Sequence, residues 1–157
     1  MLGLPEHFLL KNSGGGIINN SASESIFSTV HAAKYAKRKE LGMEMNDPRV
    51  FKFVGYYGEG SHISSYRSLM IKDIYEKREI PYVYKPELLN YELDVAYFEK
   101  TLKEDIENGF IPLWFGFSYG NTFSAAIDAS IKVFELCKKH NIWINVDAAW
   151  LGSTWIS

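Results

Sequence analysis

Apolar residues along this chain follow two alternating patterns: short continuous runs, and longer segments in which they recur every three or four residues. The continuous runs are typical of strands buried on both faces, and they cover 50–57, 80–84, 111–118 and 142–147. The periodic segments are typical of helices with one buried side, and they cover 21–40, 64–72, 94–109 and 125–140. Strands that alternate with helices predict an α/β fold with a mostly parallel sheet flanked by helices.

Several of the predicted helices carry end signals. Ser21 and Glu24 have capping-box spacing at the start of the first helix,. Asp94 is a suitable cap for the third helix, and Gly109 stands where a left-handed C-terminal residue is wanted. The periodicity assigns core positions to the first helix at Ile26, Val30 and Ala33, and to the last helix at Ile127, Ile131 and Phe134.

Polar residues gather where three of the predicted strands end. They lie at 60–64, at 120–124 and at Asp147. Because the carboxyl ends of parallel strands meet at one edge of a sheet, ligands bind there. We therefore expect one cleft to contain all three polar sites.

Composition narrows the class of protein. The 157 residues, 46% of them hydrophobic, suit a single globular domain,. A formal net charge of -2 without a basic block argues against a nucleic-acid surface,. No apolar stretch approaches the roughly 18 residues that span a bilayer, and the first residues do not resemble a signal peptide. The lone Cys137 cannot form an internal disulfide and reads as a core residue, so a reducing, cytoplasmic location is expected,.

A glycine run at 14–16 leads into the helix that opens with Ser21, Ala22 and Ser23. Free backbone N–H groups and the helix dipole at such a start favour an anion, to which serine hydroxyls add donors. Serines there are more often plain caps. The run has neither the lysine of a P-loop nor the spacing of a dinucleotide fingerprint, which disfavours nucleotide binding.

Asp147 ends the apolar run 142–147 and is followed by Ala148 and Ala149. An ionised carboxylate in apolar surroundings needs a cationic or hydrogen-bonding partner, and small neighbours leave room for a ligand such as a protonated ring nitrogen. His62 lies among small polar residues, where an imidazole can cover a planar ligand or transfer a proton. A lone histidine is also commonly a surface residue, the interpretation given to His31 and His140. No histidine, cysteine or carboxylate group has metal-ligand spacing.

A phosphate at a helix start, a flat group and a carboxylate for a ring nitrogen describe pyridoxal 5'-phosphate better than a nucleotide. With these features the chain resembles the group II pyridoxal-phosphate-dependent amino-acid decarboxylases, in particular the aromatic-L-amino-acid, histidine and tyrosine decarboxylase branch. Four motifs in family order carry the resemblance: GGGIINNSASES, SHISSYRS, SYGNTFSAAID and INVDAAWLGSTW. It implies part of the large domain of a fold-type I enzyme.

The resemblance also implies roles for individual positions. Ala22 and Ser23 match the phosphate-binding pair, and Thr122 matches a threonine near the ring and phosphate. His62 matches the histidine that stacks on the ring and is implicated in catalysis. Asp147 matches the catalytic aspartate that pairs with the pyridinium nitrogen, and Ala149 an alanine packed against the ring. The departures from the family pattern are Ile63, Asn121 and Trp150.

The resemblance further implies that residues 1–157 are one partial domain, the cofactor-binding large domain truncated at both ends. The lysine that forms the Schiff base is expected beyond Ser157. The implied parent is a homodimeric carboxy-lyase that decarboxylates an L-amino acid, aromatic by analogy, with neither a nucleic acid nor a membrane as partner. A closely related chemistry, decarboxylation coupled to oxidative deamination, stays open.

Two other readings remain. The chain is either a non-catalytic, truncated relative that binds pyridoxal phosphate weakly or serves as an interaction module, or a nucleotide-binding α/β domain that uses the glycine run. Protection by pyridoxal phosphate rather than by ATP or NAD distinguishes the last reading from the others.

Overall fold

A four-stranded parallel sheet forms the centre of the computed structural model, which describes residues 5–12, 14–128 and 130–155. Its strands, in the spatial order β2-β1-β5-β6, are β1 Phe53–Gly58, β2 Glu76–Ile80, β5 Ile111–Ser118 and β6 Trp143–Asp147. Strands β3 Tyr82–Lys85 and β4 Asn90–Leu93 pair separately as an antiparallel hairpin. The helices are α1 Ala22–Glu40, α2 Ile63–Ile71, α3 Val95–Glu107 and α4 Ile131–Lys139. Short 3-10 turns are Glu6–Phe8, Leu10–Asn12, Pro48–Lys52 and Leu151–Trp155.

Helices cover the sheet on both faces. On one face, α1 and α2 pack on Trp114, which is fully buried. On the other, α3 and α4 pack on Phe115 and Phe117. Strand β5 is therefore buried from both sides, as its continuous apolar run predicts, and the α/β expectation is confirmed. None of the helices in the described ranges is long and apolar enough to cross a membrane.

The predicted helix ends are largely confirmed. The Ser21 hydroxyl accepts a hydrogen bond from the Glu24 amide at 3.2 Å, although Glu24 Oε2 accepts from the Asn20 amide rather than closing the box on Ser21. Asp94 caps α3 through the Tyr97 amide, and Gly109 has the left-handed φ of 77°. The three predicted core positions of α1 are buried.

Two predicted strands have different bounds. The run at 50–57 becomes a strand only at Phe53, because the Asp47 side chain caps a 3-10 turn over Pro48–Lys52. The run at 80–84 is split at Pro81, so Ile80 ends β2 and Tyr82 begins β3 in the other sheet. A proline has no N–H to continue a ladder of hydrogen bonds. Strand β4 was not predicted.

The helix predicted at 125–140 is wrong in its first turns and at two of its three predicted core positions, Ile127 and Ile131, whereas Phe134 packs against the core as predicted. Ala125 has a φ of 56°, which a right-handed helix excludes, and Ile127 forms a β-bridge with Tyr119,. The helix begins at Ile131, which is 79% exposed. Its buried positions are Val133 and Cys137, so the prediction that Cys137 is a core residue is confirmed.

Helix α1 is attached both to β6 and to the turn that precedes this strand. The Thr29 hydroxyl lies 3.0 Å from the side-chain amide of Asn145 and accepts a hydrogen bond from the indole N–H of Trp114 at 3.2 Å. Further along the helix, the buried Lys37 ammonium donates to the Asn141 carbonyl at 2.6 Å. These contacts fix the position of the N-terminus of α1 relative to the carboxyl end of β6.

Candidate functional site

A cavity of about 210 Å³ lies at the carboxyl ends of β1, β5 and β6, beside the N-terminus of α1. We call it the first cavity. The three polar sites that the strand ends predicted all reach it, which confirms the expectation of one shared cleft. Its lining contains all six predicted cofactor positions, namely Ala22, Ser23, His62, Thr122, Asp147 and Ala149.

Asp147 is the last residue of β6 and lies beside Ser118 in the register of the sheet. Its Oδ1 accepts a hydrogen bond from the Ala149 amide at 3.1 Å, which orients the carboxylate. Across the described ranges, Oδ2 has no hydrogen-bond or ion-pair partner. Because Asp147 is half-buried and lines the cavity, this oxygen can accept a hydrogen bond from a protonated nitrogen of a ligand.

His62 is the N-cap of α2, and this role fixes its ring. The Ser64 amide donates to Nδ1 at 3.2 Å, and the Ser64 hydroxyl lies 2.8 Å from the same nitrogen. Since Nδ1 accepts a backbone N–H, the proton of the neutral imidazole is on Nε2. The ring is exposed and lines the cavity, so it presents a flat surface that is held at one edge.

The N-terminus of α1 divides its serines between two tasks. The Ser21 hydroxyl is used as the cap, whereas the Ser23 side chain lines the cavity and has no hydrogen bond to the rest of the described chain. The Glu24 carboxylate turns to Asn20, with Oε2 3.0 Å from the Asn20 amide nitrogen. The first turn of a 19-residue helix therefore offers the cavity free backbone donors and one hydroxyl,.

Thr122 reaches the cavity from a tight loop between β5 and α4. The side chain of Asn121, which is 3% exposed, accepts from the Ser124 amide at 2.7 Å. The amides of Gly120 and Asn121 both donate to the Ala126 carbonyl, and Gly120 has a φ of 80°. These bonds present Thr122 at the exposed tip of the loop. The glycine-asparagine pair was the sequence signal for this turn.

Asp128 is a functional candidate that the sequence analysis missed. It is 1% exposed, and its Oδ2 accepts a hydrogen bond from the Ser118 amide at 2.7 Å while Oδ1 accepts from the Tyr82 hydroxyl. Removal from water raises the pKa of this carboxyl to about 6,. Asp128 thereby connects the hairpin to the end of β5. A carboxylate inside the apolar segment AAID was the available signal.

A second cavity of about 770 Å³ adjoins the first. The two share His62 and Thr122. The remaining walls come from the loop after β1, the start of α2, the hairpin and the loop that carries Thr122; their side chains include Glu59, Ile63, Tyr82, Tyr91 and Phe123. This cavity was not predicted, because its walls depend on a hairpin that the sequence analysis did not identify.

The other candidates lie elsewhere. His31 and His140 line neither cavity, and the side chain of His7 lies outside the described residues. The glycines at 14–16 contribute no residue to either lining. Among the residues that the structure describes, no group of three or more histidines, cysteines and carboxylates has the arrangement of a metal site.

The family model for the pyridoxal-dependent decarboxylase conserved domain matches residues 1–157. The chain therefore belongs to the pyridoxal-dependent decarboxylase family, as the resemblance predicted. A tyrosine/DOPA decarboxylase 2 of Papaver somniferum is 33% identical over 158 residues, which are 99% of this chain and 28% of that protein. An aromatic-L-amino-acid decarboxylase of Manduca sexta is 33% identical over 162 residues, which are 99% of this chain and 31% of that protein.

Solved structures show the same relationship. The tryptophan decarboxylase of Catharanthus roseus, crystallised with L-tryptophan, matches 99% of this chain with a TM-score of 0.88 and 30% identity. The Oryza sativa TDC with PLP and tryptamine also matches 99% of it, with a TM-score of 0.86 and 26% identity. The match covers 32% and 31% of those two chains. The fold is thus that of fold-type I decarboxylases, and the chain spans under a third of the relatives' length.

Proposed function

We propose that the protein carrying this chain is a pyridoxal-phosphate-dependent carboxy-lyase that decarboxylates an aromatic L-amino acid. In this proposal, residues 1–157 are a partial domain, a section of the cofactor-binding large domain truncated at both ends. They supply the contacts to the phosphate, to the face of the ring and to the ring nitrogen. The observation that carries the proposal is the convergence of all six family-matched positions on the first cavity.

The donor set of the first cavity fits pyridoxal 5'-phosphate. An anion needs hydrogen-bond donors, and the first turn of α1 offers the Ser23 hydroxyl and free amides. Ala22 is small enough to let the phosphate approach the helix. Thr122, at the tip of its loop, adds a hydroxyl near the same region. These contacts are charge-assisted, which makes each of them stronger than a neutral hydrogen bond.

The remaining positions act on the ring. The Asp147 carboxylate would hold a proton at the pyridine nitrogen. The hydrogen bond from the Ala149 amide keeps that carboxylate in place. His62 would cover one face of the ring, while Ala149 leaves space beside it. The bound cofactor supplies an electron-accepting ring for the pair of electrons left when carbon dioxide departs. A charge held in a site shielded from water makes such acceptance effective.

Four finer assignments accompany this function. An aromatic substrate is supported by relatives named tyrosine/DOPA and aromatic-L-amino-acid decarboxylases, and by a neighbour crystallised with L-tryptophan. The resemblance supports a homodimer and a role in amino-acid metabolism. A cytoplasmic location is supported by the single cysteine, Cys137, which is free and cannot form an internal disulfide,.

A second candidate function is cofactor binding without turnover by the 157-residue chain itself. It is favoured by one observation: within the described ranges, no lysine lines either the first or the second cavity. In this proposal the lysine that forms the Schiff base follows Ser157 in the longer protein. A chain of this extent would then bind the cofactor through its phosphate, ring and nitrogen contacts alone.

The two candidates are separated by comparing the 157-residue chain with the protein that continues beyond it. With pyridoxal phosphate and an aromatic L-amino acid, we expect carbon dioxide release from the longer protein and little or none from the 157 residues. Borohydride should fix the cofactor to one lysine only in the longer protein. Turnover and a homogeneous lysine adduct in the 157 residues would overturn this assignment. ATP and NAD serve as competitor ligands that should not displace the cofactor.

A further inference from the structure

We propose that a third cavity, between α1 and the end of α2, binds the phosphate group of a small phosphate monoester. The inference goes beyond the proposed function, because this cavity shares no lining residue with the first or the second cavity. Both Ser23 and Lys34 lie on α1, and the rise of the helix separates them by about 16 Å,. The third cavity is therefore distinct from the contacts proposed for the phosphate of the cofactor.

The charge of the walls is the first argument. Two cations from α1, Lys34 and Arg38, and a third from the end of α2, Lys72, line the cavity together with one carboxylate, Asp73. In the described part of the chain, none of these three cations forms an ion pair. The walls thus carry an excess of two positive charges, which matches the charge that a phosphate group approaches at pH 7.

Neutral groups hold the three cations in place. The Lys34 ammonium donates to the Lys72 carbonyl at 2.7 Å, and the Arg38 guanidinium donates to the Glu44 carbonyl at 2.6 Å. The Lys72 ammonium lies 3.6 Å from the centre of the Phe27 ring. Partners of this kind fix a side chain without cancelling its charge, and each ammonium keeps further protons to donate. The charges are therefore positioned before an anion arrives, which reduces the entropy cost of binding.

The folded chain brings these like charges together without compensating them. Burial, together with the nearby charges of Arg38 and Lys72, lowers the pKa of the Lys34 ammonium, whereas Asp73 acts in the opposite direction,. Satisfying the carbonyl at the end of α2 requires only Lys34, so this structural task does not account for the Lys72 charge beside it. A bound dianion would offset both the removal from water and the mutual repulsion of the cations.

The size of the cavity and its remaining walls favour an ester over the free ion. At about 330 Å³ the cavity falls within the size range of small-molecule sites,. Tyr35 and Ile71, which are 69% and 61% exposed, add apolar surface beside the cations. A small organic group attached to the phosphate can lie against these side chains and remove their surface from water. Inorganic phosphate lacks this contact, so it should bind at the same site more weakly.

The test is calorimetric titration of the complete protein, loaded with cofactor and freed of the excess, with phenyl phosphate and with inorganic phosphate. We expect one phenyl phosphate to bind per chain, more tightly than inorganic phosphate. Lys34→Gln and Lys72→Gln should each weaken its binding about 10-fold, because each removes a charge-assisted contact. Lys39→Gln removes an exposed cation of the same helix that does not line the cavity. As the matched control, it should change the affinity less than about twofold.

Asp73→Asn tests the electrostatic argument in the opposite direction. Asp73 has a φ of 57°, which asparagine tolerates, so the variant removes a negative charge without new strain,. It should tighten phenyl phosphate binding about threefold, the size of one exposed charge pair, a gain that a misfolded variant cannot produce. The site is overturned by absence of saturable binding, by an equal loss in Lys39→Gln, or by an Asp73→Asn variant that binds no more tightly. Decarboxylation is measured separately, so failure of this site leaves the proposed function standing.

Discussion

The two adjoining cavities are built in different ways. The first cavity lies at the edge of the parallel sheet, and its ligand-facing residues are held by the backbone: Asp147 by the Ala149 amide and His62 by the Ser64 amide. The second cavity depends on a separate hairpin, which is tied to the rest of the domain through side chains at Asp128 and Asn90.

This difference suggests a division of labour. Backbone contacts follow from the fold itself and tolerate changes of side chain elsewhere, so they suit the cofactor contacts that a whole family shares. Side-chain contacts change with single substitutions, so a wall that they hold in place can vary more readily from one relative to the next.

The largest effect is expected at the first cavity from Asp147→Ala in the complete protein. The ring nitrogen would lose the carboxylate that holds its proton, and turnover should fall by roughly 10³-fold or more, as for other electrostatic contacts to reacting groups. Steady-state decarboxylation measures it. Glu135→Ala, which removes an exposed carboxylate on α4, is the control and should leave the rate unchanged. A near-normal rate in Asp147→Ala would refute the assigned role.

The next effect concerns Asp128, which connects the hairpin to the end of β5. Its pKa of about 6 in the folded chain exceeds the ordinary value of 3.8, so the folded state holds this proton more tightly than the unfolded state. The associated stability is present below about pH 3.8 and is lost as the pH rises through about 6, by up to about 3 kcal/mol. Urea unfolding should show this loss relative to Asp128→Asn between pH 4 and pH 7.

The matched control for this comparison is Glu87→Gln, an exposed carboxylate in the turn of the same hairpin. Its unfolding free energy should follow that of the unmodified chain at every pH. Parallel curves for the unmodified chain and Asp128→Asn would show that the buried carboxyl does not titrate in this range. Hydrogen exchange should also show that Asp128→Asn speeds the opening of the hairpin more than it speeds the opening of the parallel sheet.

A smaller effect separates the two roles of His62. Asparagine keeps a side-chain acceptor for the Ser64 amide and is a good N-cap, but it lacks the flat ring. We therefore expect His62→Asn to retain the stability of α2 while turnover falls roughly 10²-fold, the scale of a lost proton-transfer group. His62→Ala should lose both. Equal unfolding midpoints for the two variants would contradict the capping role, and an active His62→Asn would contradict the ring's role.

The smallest effect compares two serines at the start of α1. Ser23→Ala should weaken cofactor affinity by about 10-fold, because one charge-assisted contact to the phosphate is lost, and it should leave stability unchanged. Ser21→Ala should cost about 1 kcal/mol of stability by removing the cap. Cofactor titration and thermal unfolding, measured on both variants, check the pair. Identical behaviour of the two variants would remove the distinction between cap and ligand.

The sequence predicted best the elements in which one physical cause dominates. Strand β5 has the predicted bounds, 111–118, because burial on both faces requires a continuous apolar run. The Asp94 cap and the left-handed Gly109 follow from local backbone chemistry. The carboxyl edge of the sheet follows from these strands, and with it the meeting of 60–64, 120–124 and Asp147 in one cavity.

Elements that depend on distant partners were predicted poorly. Ile127 fits a helical period, but its backbone pairs with Tyr119 and the helix starts four residues later. The buried position of Asp128 depends on the hairpin, which places Tyr82 against it, and the sequence analysis did not predict this hairpin. The exposed Trp143 and Val146 of β6 show that an apolar run does not guarantee burial on both faces. For Ile127 and Asp128, a contact outside the predicted helix outweighs the local pattern.

Two contacts, one to β6 and one to the turn before it, hold α1 at a fixed position relative to Asp147. Thr29 contacts the strand at Asn145 and Lys37 contacts the turn before it at Asn141, so the distance from the start of the helix to Asp147 is set by the backbone on either side of these contacts. A ligand that bridges this span must match a preset length between its anionic and its cationic end. Weakening the Thr29 contact would therefore reduce the selectivity for phosphorylated heterocycles of one length, although no atom that contacts the ligand changes.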